Sequence, residues 1–141
     1  MSGERTHPSL RQVVLDTTDA RGLAEFYRQL LGLDYRLGDE PPQAGAPDPN
    51  GRDWLVLTRN DSWAIAFQQV AQLPAATWPE GPQPQQLHLD LTVPDTDELE
   101  VQHQRALALG ATLMLDRSDD EDERLYVYAD PSGHPFCIFV G

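Results

Sequence analysis

At 141 residues with a formal charge of −13, the chain has room for one domain with a sizeable core, and its acidity opposes binding to nucleic acids or anionic membranes, which attract cationic surfaces. Its apolar residues occur in short runs, far from the roughly 20 in succession that a membrane span requires, and no apolar leader follows Met1. The single cysteine, Cys137, excludes an intrachain disulfide. We therefore expect an acidic, cytoplasmic protein.

The first predicted elements are a strand and a helix. Residues 10–16 alternate between apolar and polar side chains, as in a half-buried strand. Asp19 is placed to cap a helix that runs to about Leu31 and carries one apolar stripe. Gly32 follows directly, and glycine is the residue that most often ends a helix. The chain therefore opens with a strand, a capped helix and a glycine.

A hairpin and a linker follow. Residues 54–57 and 63–67 are rich in aromatic and aliphatic side chains, and Asn60 and Asp61 between them favour a tight turn. Residues 71–87 contain four prolines, too many for the inside of a sheet or a helix. We predict that this second segment is a linker.

The elements after the linker repeat the first ones. Residues 88–93 alternate like a strand, Asp95 is placed to cap a helix through about Leu109, and Gly110 ends it. The remaining predicted strands cover residues 111–115, 126–128 and 135–139.

Comparison of the two halves indicates an internal duplication. Gln12 begins the first strand, and His88 begins the matching strand 76 residues later. At an offset of 71 the hairpins pair Leu57 with Tyr128 and Ala66 with Cys137. Each half is thus a strand, a helix and three strands, which cannot cover its own sheet alone. We predict one domain over 1–141, with module one at about 9–70, the linker at 71–87 and module two at 88–141.

This pattern resembles the vicinal oxygen chelate superfamily, which includes glyoxalase I, extradiol dioxygenases, and the bleomycin and fosfomycin resistance proteins. The resemblance runs from about Leu10 to Phe139. It is carried by the two strand-Asp-helix-Gly openings, by Ala-Leu-Gly-Ala at 108–111, and by the Asp-Pro-Ser-Gly-His-Pro-Phe-Cys stretch at 130–137. Within the superfamily the chain looks most like actinobacterial glyoxalase-like domain proteins.

The resemblance implies an α+β fold in which two tandem βαβββ modules form curved mixed sheets around a cleft. It also implies a homodimer. Whether the modules pair within one chain or across a dimer stays open at this stage.

The resemblance further implies four metal-ligand positions, which fall on Gln12, Ala66, His88 and Cys137. Only His88 is a good donor for a hard divalent cation, and Ala66 has no donor atom. Gln68, on the same strand face as Ala66, could reach inward. Because neither last-strand position, Ala66 or Cys137, is a carboxylate, we expect no catalytic metal and no other cofactor. If a metal binds, we expect Gln12, His88 and Cys137 to hold zinc.

The predicted ligand-binding residues are polar or aromatic side chains placed at strand starts, loop ends or the linker. Aromatic rings can wall a cleft for a flat ligand, while histidine and glutamine orient it by hydrogen bonds. The set comprises His88, Gln12, Gln68, Trp54, Trp63, Trp78, Tyr128 and His134.

Three functions are compatible with these residues. The first is metal-independent binding of an organic small molecule in the cleft, as in the resistance proteins that sequester drugs. The second is a lyase, isomerase or dioxygenase that uses His88 and Gln12 around a divalent metal, so the sequence leaves open whether the protein is an enzyme. The third is a protein-interaction module without small-molecule activity.

Overall fold

The computed structural model describes residues 7–141 and has the predicted α+β architecture of two modules, each with a four-stranded mixed sheet and one helix. Module one contains β1 (Val13–Thr17), α1 (Ala20–Leu31), β2 (Asp34–Tyr35), a 3₁₀ helix (Asn50–Arg52), β3 (Trp54–Arg59) and β4 (Ser62–Gln69). Module two contains β5 (Leu89–Val93), α2 (Thr96–Leu109), β6 (Thr112–Arg117), β7 (Leu125–Ala129) and β8 (Pro135–Val140).

The two sheets have the same topology. Their strand orders are β1-β4-β3-β2 and β5-β8-β7-β6, and only the β1–β4 and β5–β8 pairs are parallel. Val13 lies opposite Ile65 in sheet one, and Leu89 lies opposite Phe136 in sheet two. These pairs are related by the offsets of 76 and 71 found in the sequence, so the predicted duplication is confirmed at the level of strand register.

The helix ends follow the predicted capping pattern. The Asp19 carboxylate accepts a hydrogen bond from the Gly22 amide, and the Asp95 carboxylate accepts one from the Glu98 amide. Gly32 and Gly110 end the helices with positive φ angles of 66° and 119°. A side chain is strained in this conformation, which explains glycine at both sites.

One hydrophobic core joins the two modules. The apolar stripe of α1 packs on sheet one, and Phe26 also reaches Phe136 of β8, with ring centroids 5.9 Å apart. Tyr27 contacts both Phe67 and Phe136. Because both modules bury side chains in the same cluster, they pack within a single chain in this structure.

Some boundaries differ from the predictions. The first strand begins at Val13 rather than at residue 10, since Leu10 is 89% exposed and pairs with no strand. The hairpin turns at Asn60 and Asp61 as predicted, and both have positive φ. Within residues 71–87 the structure has only an isolated bridge between Thr77 and Pro84. Among the described residues, neither helix is long and apolar enough to cross a membrane.

Candidate functional site

Each sheet has a face turned away from its helix, which we call the open face. In β1 the side chains of Leu15 and Thr17 are buried, whereas Val14 and Asp16 are exposed on the open face. In β5 the alternation is the same, with His88 just before the strand and Asp90 within it on the open side. Because strands alternate, residues two positions apart have their side chains on the same face of the sheet.

A cavity of about 590 Å³ lies against the open face of module one. Its walls are β1, the end of β4, two parts of the linker, and the turn between β7 and β8 (residues 130–134, the β7–β8 turn). Apolar groups such as Val14 and Leu73 line it together with the polar side chains of Asp16, Gln68 and His134. The cavity thus combines an apolar lining with a few hydrogen-bonding groups, the usual make-up of a small-molecule site.

The β7–β8 turn is held by a buried carboxylate. Asp130 accepts hydrogen bonds from the backbone amides of Ser132 and His134, at 2.9 and 3.0 Å, and from the Tyr27 hydroxyl at 2.6 Å. Burial, and after it the Asp130 charge, raises the pKa of Tyr27 well above its usual value, so the hydroxyl keeps its proton and donates. The turn is therefore tied to α1 of the other module.

Two further contacts fix this turn beside β1. The Nε2 atom of His134 lies 2.6 Å from the Asp16 carbonyl oxygen, to which it donates, and the hydroxyls of Ser132 and Thr17 are 2.7 Å apart. These bonds explain how a turn of module two forms a wall of a cavity on module one.

The linker closes the same cavity from outside. The Thr77 amide donates to the Gln83 carbonyl, which folds the linker back on itself. At Gly133, which has a φ of 93°, an added Cβ would lie 2.5 Å from the Cβ of Ala75. Glycine is thus required there both by the backbone conformation and by the close approach of the linker.

A second, smaller cavity of about 90 Å³ lies on module two. Trp78, His88 and Cys137 line it, and Gln85 and Pro135 line both cavities. The two cavities are therefore neighbours that share a wall.

A group of three potential metal ligands lies at this smaller cavity. The Cys137 Sγ atom is 2.8 Å from Asp90 Oδ1, and His88 Nε2 is 3.2 Å from the same oxygen. All three ligand atoms lie within 4.8 Å of one another. Burial, and after it the hydrogen bond to Asp90, raises the pKa of Cys137 to about 12. The thiol is therefore protonated near neutral pH and donates to the carboxylate.

The predicted site residues divide among several places. Gln68 and His134 line the larger cavity, and Trp78 and His88 line the smaller one. Gln12 is half-buried, lines neither cavity and is not part of the His88–Asp90–Cys137 group; its buried Oε1 atom has no hydrogen-bond partner among residues 7–141.

The other predicted aromatic residues have structural contacts. The guanidinium groups of Arg11 and Arg36 lie over the Trp63 ring, 4.6 and 5.0 Å from its centroid. Tyr128 is fully buried and stacks on Phe136 in the core. Trp54 of β3 is half-buried and lies opposite Gln68 of β4.

The hydroxyl of Tyr128 also has its partner in the core and not at either cavity. Its hydroxyl is 2.7 Å from Nδ1 of His103, a buried residue of α2. The core side of sheet two, not its open face, therefore holds this tyrosine.

Three site residues were missed by the sequence reasoning. Asp16 and Asp90 are on the same strand faces as Gln12 and His88, so the period of two could have found them. Gln85 is in the linker, where no periodicity identifies the residues that point inward.

A family model described as a glyoxalase-like domain matches residues 12–139. Among solved structures, the chain is similar to a glyoxalase/bleomycin resistance protein/dioxygenase family enzyme from Burkholderia phytofirmans PsJN, with a TM-score of 0.63, 17% identity, and coverage of 92% of this chain and 96% of that one. No curated protein matches the sequence.

Two further structures have similar folds. A variant of the fosfomycin resistance protein FosX from Listeria monocytogenes, solved with Mn(II) and 1S,2S-dihydroxypropylphosphonic acid, gives a TM-score of 0.67 at 16% identity and covers 96% of this chain and 94% of its own. A lactoylglutathione lyase from Agrobacterium tumefaciens gives 0.59 at 16% identity, with coverage of 97% and 96%. At such identities the likeness establishes a common fold.

Proposed function

Because the chain belongs to the glyoxalase-like domain family, we propose that it binds an organic small molecule in the larger cavity, without a catalytic metal. The observation that carries this proposal is the cavity itself. Its volume of about 590 Å³ lies within the range of roughly 300–1,000 Å³ typical of ligand pockets. Apolar side chains offer area for burial, and Gln68 and His134 offer hydrogen bonds that orient a ligand.

The donor chemistry of the open faces also supports a metal-independent role. Ala66 pairs with Val14 in sheet one, at the position that matches the Cys137–Asp90 pair in sheet two. Neither Ala66 nor Val14 has a ligand atom, so module one contributes no donor at this position. Of the four expected ligand positions, the one on the last strand of module one therefore has no donor, and Gln12 offers only a weak carbonyl oxygen for a hard cation.

A fragment screen with a cavity-filling variant tests the proposal. A ligand that binds only the folded state raises the melting temperature. We expect fragments to stabilise the wild-type protein and to lose this effect in Val14→Trp, which fills the cavity. Val101→Trp, on an exposed part of α2 outside the cavity, is the matched control and retains binding. Equal stabilisation of both variants, or no hits with the wild type, contradicts the proposal.

The second candidate function is metal-dependent catalysis at the group formed by His88, Asp90 and Cys137. Imidazole nitrogen, carboxylate oxygen and thiolate sulfur together suit zinc, and catalytic zinc sites use three protein ligands and leave one position open. Bound there, zinc would polarise a substrate oxygen or lower the pKa of a water molecule. The three side chains would hold the ion, and Trp78 would limit access of solvent.

Metal analysis separates the two candidates. If the group binds zinc, the purified protein contains about one equivalent by mass spectrometry, which is lost in Asp90→Asn and retained in Gln12→Ala. Loss in Gln12→Ala instead indicates the ligand set expected from the sequence. Protein that takes up no zinc after incubation with the ion and dialysis excludes this second function.

The proposal includes a homodimer. Strand β6 is an edge strand of sheet two, and its Leu113 and Met114 side chains are 39% and 42% exposed. Unpaired edges with apolar side chains favour pairing with another chain. Sedimentation equilibrium is expected to give twice the monomer mass of 15.8 kDa, and Met114→Lys is expected to shift the mass toward the monomer.

A further inference from the structure

The polar lining of the larger cavity carries little charge. Among the described residues that line it, the only ionisable side chains are Asp16 and His134. The chain has no lysine, and none of the arginines within residues 7–141 lines the cavity. Nε2 of His134 is already engaged, because it donates to the Asp16 carbonyl. The fixed charge at the cavity is therefore the Asp16 carboxylate.

The Asp16 carboxylate is the charged acceptor that is open to a ligand. Within residues 7–141 it makes no hydrogen bond or ion pair, and it is exposed at the cavity. A ligand that carries N–H groups would supply a donor to it.

The remaining lining sets the shape of that ligand. Val14, Leu73, Pro74, Ala76 and Leu87 give the cavity an apolar part beside the acceptors. An anion in the cavity would be repelled by the Asp16 carboxylate and by the net charge of −13. Neither arginine nor lysine lines the described cavity to offset this repulsion. The cavity therefore disfavours carboxylates and phosphates.

Building on the proposed function, we infer that the ligand is an organic cation in which an amidinium, guanidinium or primary ammonium group is attached to an apolar body. Asp16 is its counter-ion. The apolar body lies against Val14 and Leu73. This assignment makes Asp16 the residue that determines selectivity for charge.

Three probes of nearly equal shape test the inference. Benzamidine, benzamide and benzoate share a phenyl ring but are cationic, neutral and anionic at pH 7. In chemical-shift titrations of the ¹⁵N-labelled protein at constant ionic strength, we expect benzamidine to bind at least about tenfold more tightly than benzamide, and benzoate to bind least. The shifts are expected at Val14, Gln68 and His134.

Substitutions assign the selectivity to its residues. Asp16→Asn keeps the shape of the side chain and is expected to weaken benzamidine about tenfold while leaving benzamide unchanged. Asp119→Asn removes the same charge from an exposed turn outside the cavity and is the matched control. Equal effects of Asp119→Asn and Asp16→Asn would mean that net charge, not this site, selects the ligand, and would overturn the inference.

The outcomes separate the inference from the proposed function. If benzamide or benzoate shifts the cavity residues as strongly as benzamidine, the cavity binds small molecules without selecting cations, and only the inference fails. If no probe shifts these residues and the fragment screen also finds no cavity ligand, the proposed function and the inference both fail.

Discussion

The two modules share one backbone plan but carry different chemistry on their open faces. At matched positions of the parallel pairs, module one has Val14 opposite Ala66, and module two has Asp90 opposite Cys137. The buried faces hold the register in both, because a slip of one residue would turn every core side chain outward. Residues on the open face are free of this constraint, so the two halves could diverge there without loss of the fold.

The hairpin turns differ in the same way. In module one, β3 and β4 pair up to Arg59 and Ser62 and turn through two residues with positive φ. In module two, pairing stops at Ala129 and Pro135, and the five-residue β7–β8 turn reaches across to module one. Two residues thus close the hairpin in module one, whereas the five residues of the β7–β8 turn in module two also form a wall of the larger cavity.

The largest expected effect comes from placing the same carboxylate on both open faces. Ala66 is fully buried, so we expect Ala66→Asp to lower the free energy of unfolding by about 4 kcal/mol, because an ionised group would be buried without a partner. Cys137 is only half-buried, and Cys137→Asp should lose less than half as much when it is made in an Asp90→Asn background, where no like charge faces the new carboxylate, and compared with Asp90→Asn alone. Urea unfolding at pH 7 measures both, and equal losses would show that the two faces are equally covered.

The next effect concerns the β7–β8 turn. Asp130→Ala removes the acceptor of two backbone amides and of the Tyr27 hydroxyl, so we expect a loss of about 3 kcal/mol in urea unfolding. Asp61→Gly in the turn of module one is the control, since glycine accepts its positive φ and the stability should change by less than about 0.5 kcal/mol. A small effect of Asp130→Ala would mean that the turn does not lock the modules together.

These comparisons also indicate what a sequence can predict. Strand alternation, the caps at Asp19 and Asp95 and the closing glycines are local signals, and they predicted the two-module fold. The short strand Asp34–Tyr35 lacks such a signal, because two residues carry no period.

The site depends on contacts that are distant in sequence. Cys137 meets Asp90 only because β5 and β8 pair in parallel, 47 residues apart. The alternation of β1 divides its side chains into two sets but does not say which set lies beneath the linker. The sequence likewise does not say which aromatic residues face a cavity: two arginines lie over the Trp63 ring, and Tyr128 lies in the core.

The pH dependence of stability allows Tyr27, which bonds across the modules, to be compared with Tyr128, which bonds within module two. Burial, in each case the largest cause, raises the pKa of both Tyr27 and Tyr128. Above about pH 10 the unfolded chain releases these protons while the folded protein keeps them. The stabilisation is therefore complete below about pH 10 and declines as the pH rises, by up to about 1.4 kcal/mol per pH unit for each hydroxyl.

Phenylalanine substitutions assign this decline. We expect Tyr27→Phe and Tyr128→Phe each to reduce the slope of unfolding free energy between pH 10 and 11, as measured by urea unfolding at closely spaced pH values. An unchanged slope in Tyr27→Phe would mean that its hydroxyl titrates in the folded protein as it does in the unfolded chain.

The smallest expected effect lies in the helix caps, where the modules are most alike. Asp19→Ala and Asp95→Ala each remove one acceptor from a first-turn amide and should each cost about 1 kcal/mol, whereas the corresponding asparagine variants keep the acceptor and should cost little. Gln69 also accepts from the Ala20 amide, but this is a different donor from that of Asp19, so it cannot replace the lost bond. A difference of more than about 0.5 kcal/mol between the two alanine variants would contradict the view that divergence was confined to the open faces and the turns.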